Sequence, residues 1–284
     1  MKVLVYSNKN KDEKFQKTRE IINYLLKENI EVVVTDTMYE HFKDIDVSCF
    51  HELIAKTIDM LFVLGGDGTF LTAAHRFYKY QIPFIGLNLG RVGYLTECDM
   101  DNYFTTIDKV LKGEYTVKHK TLLEFQVYSQ KGAKRMIGFN DVVIHRGKEL
   151  QMLKLDIKVK DDFMDSFYAD GVLVSTCMGS TAYNLSAGGP LLLEGSKSFV
   201  ITPICSQSGI MPSVVTHDED LIEITASTIN DSFSVCVDGK GQLEIPSGTT
   251  MFISKSPMTL PVVSINEKNK RLNHIVKVFN GYVR

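Results

Sequence analysis

The sequence predicts an α/β domain followed by a β-rich domain. Apolar β-branched runs alternate with helical patterns over the first third of the chain, and such alternation builds a parallel sheet with right-handed crossovers. From Thr121 onward, short β-rich runs separated by Gly, Asp, Asn and Pro dominate instead. We therefore expect an α/β domain at 1–118 and a β-rich domain at 119–265, with the apolar tail 266–284 returning to the first domain.

Each element of the first domain follows from its local pattern. Lys2–Tyr6 is short and apolar, and Asp12 precedes apolar residues at helical spacing, so that Asp12 can cap a helix. Further strands are expected at Ile30–Val34, Met60–Leu64 and Ile82–Leu87. Further helices are expected around Phe50–Ile58, over Phe70–Tyr78 and over Asn102–Leu111.

The second domain shows the alternation of strands that have one wet face, as in Leu153–Val159. One helical pattern intervenes, around Thr181–Leu193. The expected strands are Leu122–Tyr128, Asp141–His145, Leu153–Val159, Val172–Ser175, Leu221–Ala226, Phe233–Val237, Met251–Ser254 and Val262–Ile265.

Composition excludes several classes of protein. The 284 residues are 44% hydrophobic and 23% charged, a mixture typical of a globular protein. A net charge of −2 argues against a broad nucleic-acid-binding face. The first residues lack the long apolar core typical of a signal peptide, and no run approaches the length needed to cross a bilayer, so we expect no membrane partner. Five scattered cysteines indicate free thiols, and therefore a cytoplasmic location.

The strongest local signal is the glycine loop Gly65-Gly66-Asp67-Gly68-Thr69, between a buried strand and a helix. Three glycines in four positions let the backbone approach a ligand without Cβ clashes. The N–H groups of such a turn and of the helix N-terminus favour an anion. Asp67 is the one side chain of the loop suited to acid–base or metal chemistry. The alternative is a tight turn in which Asp67 only caps the helix.

Two further segments carry polar groups suited to a nucleotide. Ala169–Pro190 runs from a strand into a turn rich in hydroxyls and glycine, where a flat ring can lie close to the backbone and Tyr183 can stack on a base. Its alternative is a capped helix start with Tyr183 in the core. Asn140 and Asp141, at a strand start, can hold a ribose or an adenine, or can simply begin a turn.

These motifs in this order resemble the NAD kinase family, of the bacterial type that uses ATP or polyphosphate: GGDGT, then Asn-Asp where the family has Asn-Glu, then DG…ST…GSTAYxxSxGGP. The resemblance covers about Met60 to Lys240. It implies a Rossmann-like N-terminal domain, an all-β sandwich C-terminal domain and an active site at their junction. It also implies phosphate transfer from ATP to the adenosine-ribose 2′-hydroxyl of NAD to give NADP, with Mg²⁺ carried by the ATP. Members are commonly homo-oligomers, either dimers or tetramers, and we expect the β-sandwiches to contact each other.

The resemblance also implies roles for particular residues, with Asp67 as general base on the 2′-hydroxyl and no residue assigned to a metal. The residues expected around the phosphates are Gly66, Gly68 and Thr69. Those expected at the adenosine end are Asn140 and Asp141, and those lining the rest of the dinucleotide are Asp170, Thr181, Ala182, Tyr183 and Ser186. The remaining expected ligand contacts are His75, Gln151, Tyr168, Asn184, Leu185, Cys205 and Lys240.

The chain departs from the family pattern at four places. Asp141 replaces Glu, Cys177-Met178 replaces Pro-Thr, Ser206-Gln207 replaces Pro-His, and Lys240 replaces Gln. Tyr168 also lies where a basic or polar residue often contacts the ligand. These differences bear on substrate preference and subunit contacts, and they leave Asp67 and the glycine loop intact.

Other functions share parts of the pattern. Kinases of diacylglycerol and sphingoid lipids carry the same loop, but they continue it with Asn-Glu where this chain has Phe70–Ala73, and they lack GSTAY. Phosphofructokinase also uses GGDG, but the β-rich second half argues against it. A non-catalytic NAD(P) sensor on the same scaffold is a further alternative. The sequence leaves open NAD against NADH and ATP against polyphosphate.

Overall fold

The computed structural model describes residues 1–89, 93–96, 103–129, 132–148, 151–207 and 211–265. Within them the chain divides into two compact units. The first comprises Met1–His119 with the described residues from Leu260 onward, and the second comprises Lys120–Thr259. The expected return of the tail, 266–284, to the first domain lies outside the described residues.

The first unit alternates strands and helices along the chain. Its elements are β1 (Lys2–Ser7), α1 (Gln16–Lys27), β2 (Glu31–Val34), α2 (Asp36–Tyr39), β3 (Ser48–Cys49), β4 (Met60–Leu64), α3 (Asp67–Phe77), β5 (Phe84–Leu87) and α4 (Tyr103–Leu111). All its strand pairs are parallel among the described residues, in the order β3-β2-β1-β4-β5, and Val262 pairs beside Phe84. An α/β half is therefore confirmed.

The core of the first unit lies along the central strands. Every residue of β4 is buried, as a strand with helices over both faces requires. Ile21, Ile22 and Leu25 of α1 pack into the same apolar cluster. Full burial of a side chain such as Phe62 contributes about 1.5–3 kcal/mol relative to exposure. This rigid sheet fixes the positions of the loops that follow its strands.

The strand order places the glycine loop at a favoured ligand position. β1 pairs with β2 on one side and with β4 on the other, so the direction of chain progression reverses at the β1–β4 pair. In open α/β sheets, ligands bind outside the carboxyl ends of the strands at such a switch point. The loop Gly65–Thr69 follows the carboxyl end of β4 and therefore lies at that point.

Asp12 caps α1, as expected, but it does so from beyond a kink. Lys14 and Phe15 have φ of 51° and 57°, which interrupts the helical path. The Asp12 carboxylate accepts the N–H groups of Lys17 and Thr18 at 3.0 and 2.8 Å. These bonds satisfy N–H groups of the first helical turn, which have no partner inside the helix.

The second unit is mostly β. Its elements, with β6 and β16 extending into the first unit, are β6 (Thr116–Ser129), β7 (Gly132–Gly138), β8 (Asp141–His145), β9 (Leu153–Val159), β10 (Asp162–Ser175), α5 (Tyr183–Ser186), β11 (Ser198–Ser206), β12 (Val214–His217), β13 (Ile222–Ser227), β14 (Ser232–Val237), β15 (Lys240–Pro246) and β16 (Thr249–Ser264).

Long strand β10 belongs to two arrays of antiparallel strands. Its first part, up to Ala169, pairs with β9, and β9 pairs in turn with β13. Its last part, from Gly171, lies between β8 and β11. Side chains of both arrays, such as Ile157 and Ile224 on one side and Ile144 and Val235 on the other, share one apolar core. The β8 array places Asp141 at its edge, at the start of β8.

The structure confirms most expected elements and corrects several. Met60–Leu64, Asp141–His145 and Leu153–Val159 have the expected bounds. The segment around Phe50–Ile58 forms a short 3₁₀ helix, Glu52–Thr57, instead of an α-helix. The expected helix over Thr181–Leu193 is wrong beyond Ser186. Gly188, at φ 85°, takes the left-handed conformation that ends helices, and Pro190 follows.

Other differences concern strands. The short strand expected at Val172–Ser175 is the end of β10, and the two runs expected at Met251–Ser254 and Val262–Ile265 form the single strand β16. The sequence patterns did not predict the following elements: α2, β3, β7, β11, β12 and β15.

Candidate active site

The glycine loop presents open backbone at the start of α3. Gly65 has φ 146°, and a Cβ there would lie 2.6 Å from Thr69 Oγ1, so this position requires glycine. Gly66 and Gly68 have open space around their Cβ positions. Thr69 is buried, and its backbone N–H donates to the Gly66 carbonyl at 2.9 Å, which closes the turn at the start of α3. A phosphate can approach the open side, where the helix dipole favours negative charge.

Asp67 lies in the first turn of α3, and a second loop holds its carboxylate. The Tyr94 N–H donates to Oδ2 at 3.0 Å, and the Leu95 N–H donates to Oδ1 at 3.0 Å. A carboxylate has about four lone-pair sites, so each oxygen can still accept another hydrogen bond. A Cβ on Gly93 would lie 2.2 Å from Asp67 Oδ1, so only glycine lets the second loop approach this closely. The carboxylate is therefore oriented but still able to accept a proton.

The holding loop, Gly93–Thr96, is itself organised by a hydroxyl. Thr96 Oγ1 accepts the Gly93 N–H at 3.1 Å and the Asn88 side-chain N–H at 3.3 Å. Asn88 and Thr96 are buried. Asn88 directly follows β5, the neighbour of β4, so the two loops leave the same edge of the parallel sheet. Sequence reasoning assigned no site residue to this loop.

In the second unit, the turn that carries Asn140 and Asp141 is held by Asp238. The Asp238 carboxylate accepts the N–H groups of Phe139, Asn140 and Asp141 at 2.8, 2.7 and 3.1 Å. Asp238 and Gly239 have φ of 52° and 66°, and they form the two-residue hairpin turn between β14 and β15. Sequence reasoning did not select Asp238, although an Asp-Gly pair between apolar runs is a strong hairpin signal.

Asp141 itself is a buried carboxyl in an electronegative setting. Burial, and then the charge of Asp238, raise the pKa of Asp141 from 3.8 to about 7. Desolvation disfavours the charged form, and a nearby like charge acts in the same direction. This carboxyl therefore exchanges its proton near neutral pH.

The hydroxyl-rich turn that follows β10 contacts the backbone of Phe139 and Asn140. Thr176 Oγ1 donates to the Phe139 carbonyl at 2.6 Å and accepts the Gly179 N–H at 3.0 Å. A Cβ on Gly179 would lie 2.0 Å from the Asn140 carbonyl oxygen, so glycine is required there too. Thr176 is a further residue that sequence reasoning missed. These contacts bring the two polar segments predicted for the nucleotide side by side.

Asn184 supports this turn from inside. It is fully buried, and its side-chain N–H groups donate to the carbonyls of Ser180 and Pro190 at 3.2 and 2.9 Å. Its Oδ1 accepts the Thr202 hydroxyl at 2.7 Å. The side-chain amide of Asn184 therefore joins three parts of the chain and shapes the turn.

Tyr183 lies at the centre of the predicted residues of the second unit. Its ring is 42% exposed, as a stacking platform would be, rather than in the core. Burial of its hydroxyl, and then the charges of Cys205, Asp141 and Asp170, raise the pKa of Tyr183. These electrostatic effects place the four residues in one neighbourhood.

Asp170 has a basic partner that sequence reasoning did not assign. Arg146 Nε lies 2.8 Å from Asp170 Oδ1, and both side chains are largely buried. The Arg146 N–H also donates to the Asp170 carbonyl at 3.0 Å. The pair joins the end of β8 to β10 and fixes the orientation of the Asp170 carboxylate.

The other predicted residues lie at varied depths. His75 is half-buried on α3, in the first unit. Lys240 begins β15, and burial lowers its pKa against the opposing charge of Asp238. The exposed residues are Gln151, Tyr168, Ser186 and Cys205, and the half-buried ones are Thr181, Ala182 and Leu185.

The chain matches two family models that together span most of its length. The model described as the ATP-NAD kinase N-terminal domain matches residues 3–115, and the ATP-NAD kinase C-terminal domain matches residues 139–265. Among curated relatives, an NAD kinase of Caldanaerobacter subterraneus is 34% identical over 277 residues, covering 94% of this chain and 95% of that protein. An NAD kinase of Thermoanaerobacter sp. is 32% identical over 276 residues, with the same coverages.

Solved structures share the fold. Yeast NADH kinase complexed with NADH superposes with a TM-score of 0.87 at 24% identity, covering 98% of this chain and 87% of the yeast chain. An NAD kinase from Archaeoglobus fulgidus in complex with ATP superposes with a TM-score of 0.74 at 23% identity, covering 98% of both chains.

Proposed function

Because this chain belongs to the NAD kinase family, we propose that it transfers the terminal phosphate of ATP to the adenosine-ribose 2′-hydroxyl of NAD. The single observation that carries this proposal is the held carboxylate of Asp67, which lies in a glycine loop at the N-terminus of α3. This arrangement combines an anion site with a proton acceptor. Phosphoryl transfer to an alcohol needs both.

In the proposed mechanism, Asp67 orients the hydroxyl and takes its proton. The transition state of phosphoryl transfer is usually loose, so the nucleophile loses its proton late and a weak base suffices. Alignment and neutralisation of charge then supply most of the acceleration. The backbone of Gly66 and Gly68 lies on the open side of the loop, where the phosphates would bind.

We further propose that Mg²⁺ arrives with ATP. Among the described residues, no three His, Cys, Asp or Glu side chains form a group that could cage a metal ion. Mg²⁺ commonly keeps several waters and binds substrate phosphates with one or two carboxylates. Asp67 is the carboxylate of the glycine loop, so the residues present fit a metal held mainly by ATP. Bound there, Mg²⁺ would neutralise phosphate charge.

For the second unit we propose a dinucleotide-binding role on a β-sandwich. Asn140 and Asp141 would contact the adenosine ribose, and Tyr183 would stack on a ring, because its face is exposed. Asp170, oriented by Arg146, would contact another polar group of the dinucleotide. Cys205 is exposed and acts electrostatically on Tyr183, and exposed Tyr168 lies two positions before Asp170 on β10, so both would border the ligand.

Assembly and location complete the proposal. We expect a homo-oligomer, and a monomeric mass by light scattering at working concentration would contradict that expectation. We expect a cytoplasmic location because the four described cysteines are free thiols. Among the described residues, no helix combines the length and hydropathy needed to span a membrane.

One assay tests the function. The purified protein is incubated with NAD, ATP and Mg²⁺, and product is detected with an NADP-specific dehydrogenase. Formation of NADP, abolished when NAD or ATP is omitted, is the expected result. ATP turnover that depends on diacylglycerol or a sphingoid base, without NADP, would instead indicate a lipid kinase. Binding of NAD without any turnover would indicate a sensor. Parallel reactions with NADH and with polyphosphate define the substrate preference.

A further inference from the structure

Asp238 controls the geometry of the turn that carries Asn140 and Asp141. Three consecutive N–H groups, from Phe139 to Asp141, converge on its carboxylate at 2.7–3.1 Å. The Asp238 N–H donates back to the Asp141 carbonyl at 2.9 Å. Asp238 is 8% exposed, so water competes little for these bonds. One side chain on a distant hairpin therefore sets the direction of both candidate ligand residues.

We propose that Asp238 is a positioning residue for dinucleotide binding, and that its charge makes the binding of NAD depend on whether Asp141 carries a proton. The inference rests on the proposed function, in which Asp141 contacts the adenosine ribose.

The two carboxyl groups cannot both be charged without cost. They are both buried, at 5% and 8% exposure, and close enough for the charge of Asp238 to act on Asp141. Two interacting carboxyls of this kind tend to share a single proton. Three N–H groups compensate the charge of Asp238, whereas burial and that charge raise the pKa of Asp141 to about 7. Asp141 is therefore the carboxyl of the pair whose pKa is raised to near neutral pH.

Other groups around the pair do not remove this asymmetry. Cys236, on β14, has its thiol pKa raised by burial and then by the charges of Asp141 and Asp238, so it stays neutral at pH 7. Tyr183, on α5, likewise has a raised pKa and stays neutral. Lys240, on β15, is a nearby cation, and the charge of Asp238 raises its pKa against the larger, lowering effect of burial. Ser175 of β10 pairs opposite Asp141 and carries no charge.

The direction of the coupling follows from the ligand. A ribose hydroxyl donates to a carboxylate, so NAD binds the ionised form of Asp141 and the displaced proton passes to solvent. NAD affinity should then rise with pH until about pH 7 and level off above it. For a single proton, affinity falls by about tenfold for each pH unit well below that value. Asp238→Asn removes the neighbouring charge and moves the whole profile to lower pH.

The test uses NAD titration calorimetry of the full chain at several values between pH 5.0 and 8.5, in buffers of different ionisation enthalpy. The wild type should release a proton on binding NAD near pH 6, and its affinity should fall about tenfold per pH unit below that point. D238N should lose less affinity than the wild type over the same pH interval, because the charge of Asp238 is removed while burial, the larger cause of the raised pKa of Asp141, remains. D141N should show no pH dependence from this group.

Asp12→Asn is the matched control. Asp12 is also a buried aspartate that accepts backbone N–H groups, but it lies in the first unit and has no predicted ligand role. The D12N substitution should lower thermal stability and leave the pH profile of NAD affinity unchanged. A merely structural role for Asp238 would make D238N behave in the same way.

Several results would overturn the inference. It fails if the pH profiles of D238N and the wild type coincide, or if D141N keeps the wild-type profile. If D238N does not fold, Asp238→Ser, which also removes the charge, takes its place in the comparison. The pKa of the Asp141 carboxyl can also be measured by carbon-13 NMR titration in the absence of NAD. This measurement distinguishes failure of the Asp141–Asp238 coupling from failure of the proposed function. A lowered pKa in D238N supports the pair even if no NADP forms, whereas an unchanged pKa in a protein that makes NADP refutes only the pair.

Discussion

The N–H of Leu95 donates to the carboxylate of Asp67 over 3.0 Å, although the residues are 28 positions apart in the chain. The Tyr94 N–H donates to the other oxygen of the same carboxylate. Two donors on two oxygens fix the plane of the carboxylate. The proposed base is therefore oriented before any substrate arrives, which is the condition for efficient alignment in phosphoryl transfer.

Asp67→Asn should lower kcat by roughly a hundredfold or more, the range for losing a general base. The amide cannot take the proton of the hydroxyl, but its oxygen can still accept one loop N–H, so the fold should survive. NAD should bind the variant with nearly the wild-type affinity, measured by calorimetry beside the steady-state assay. Wild-type turnover in this variant would remove Asp67 from the mechanism.

Gly93→Ala should reduce kcat while changing the KM for NAD far less. The added Cβ would lie 2.2 Å from Asp67 Oδ1, so either the holding loop or the carboxylate has to shift. A displacement of about 1 Å at a reacting group can cost about a hundredfold in rate. Steady-state kinetics at saturating ATP would measure the effect.

The control for Gly93 is Gly113→Ala. Gly113 has φ 74° but open space around its Cβ position, so the substitution strains the backbone without touching Asp67. It should lower the melting temperature and spare kcat. If both variants lose kcat in proportion to their loss of stability, the clash with Asp67 is not the cause.

Asp67 could be predicted from the sequence, but the loop that holds it could not. Three glycines between a buried strand and a helix are a local signal. The contacts of Tyr94 and Leu95 use backbone N–H groups, which every non-proline residue has, so their side chains carry no signal. The parallel pairing of β4 with β5 brings the two loops together, and that is a tertiary fact. Asp238 was missed for the same reason, since its partners lie about a hundred positions earlier.

Arg146→Ala should raise the KM for NAD several-fold, because it leaves the partly buried Asp170 carboxylate without the cation that orients it. The substitution removes the cation that lies 2.8 Å from Asp170. Arg135→Ala is the matched control, since Arg135 is exposed and lies 4.0 Å from Glu124. The idea fails if the KM values of both variants equal that of the wild type.

Asp141→Asn should stabilise the protein more at pH 8 than at pH 5. The pKa of Asp141 is raised from 3.8 to about 7 in the folded state. Between these values the unfolded chain has already lost the proton that the folded chain keeps, so wild-type stability falls as pH rises. D141N has no titrating group at this position, so its stability does not fall with rising pH for this reason.

Thermal denaturation of both proteins at the two pH values measures this effect, and about 1 kcal/mol corresponds to roughly 2–4 °C in Tm. An equal difference in Tm at both pH values would show that Asp141 does not titrate as described.

The fold was predictable where local pattern and tertiary pairing agree. β4 is continuous, apolar and buried throughout, and its bounds follow from the sequence. The apolar residues 191–193 fitted a helical pattern, but the helix ends at Ser186, before Gly188 and Gly189. A Cβ on Gly189 would lie 2.0 Å from Asn184 Oδ1, so the chain turns back over the buried amide. β16 was split in the prediction because Pro257 and Pro261 lack N–H groups, yet the strand continues through both.

The Thr96 hydroxyl holds the Gly93–Thr96 loop together, and that loop aims a carboxylate encoded far upstream. A homologue with a substitution at position 93 or 96 would therefore lose phosphotransfer even though its GGDGT motif is unchanged. A sequence survey that infers activity from the GGDGT motif alone would count such inactive homologues as enzymes. Positions 93 and 96, considered together with the motif, give a stricter criterion for distinguishing active kinases from inactive homologues.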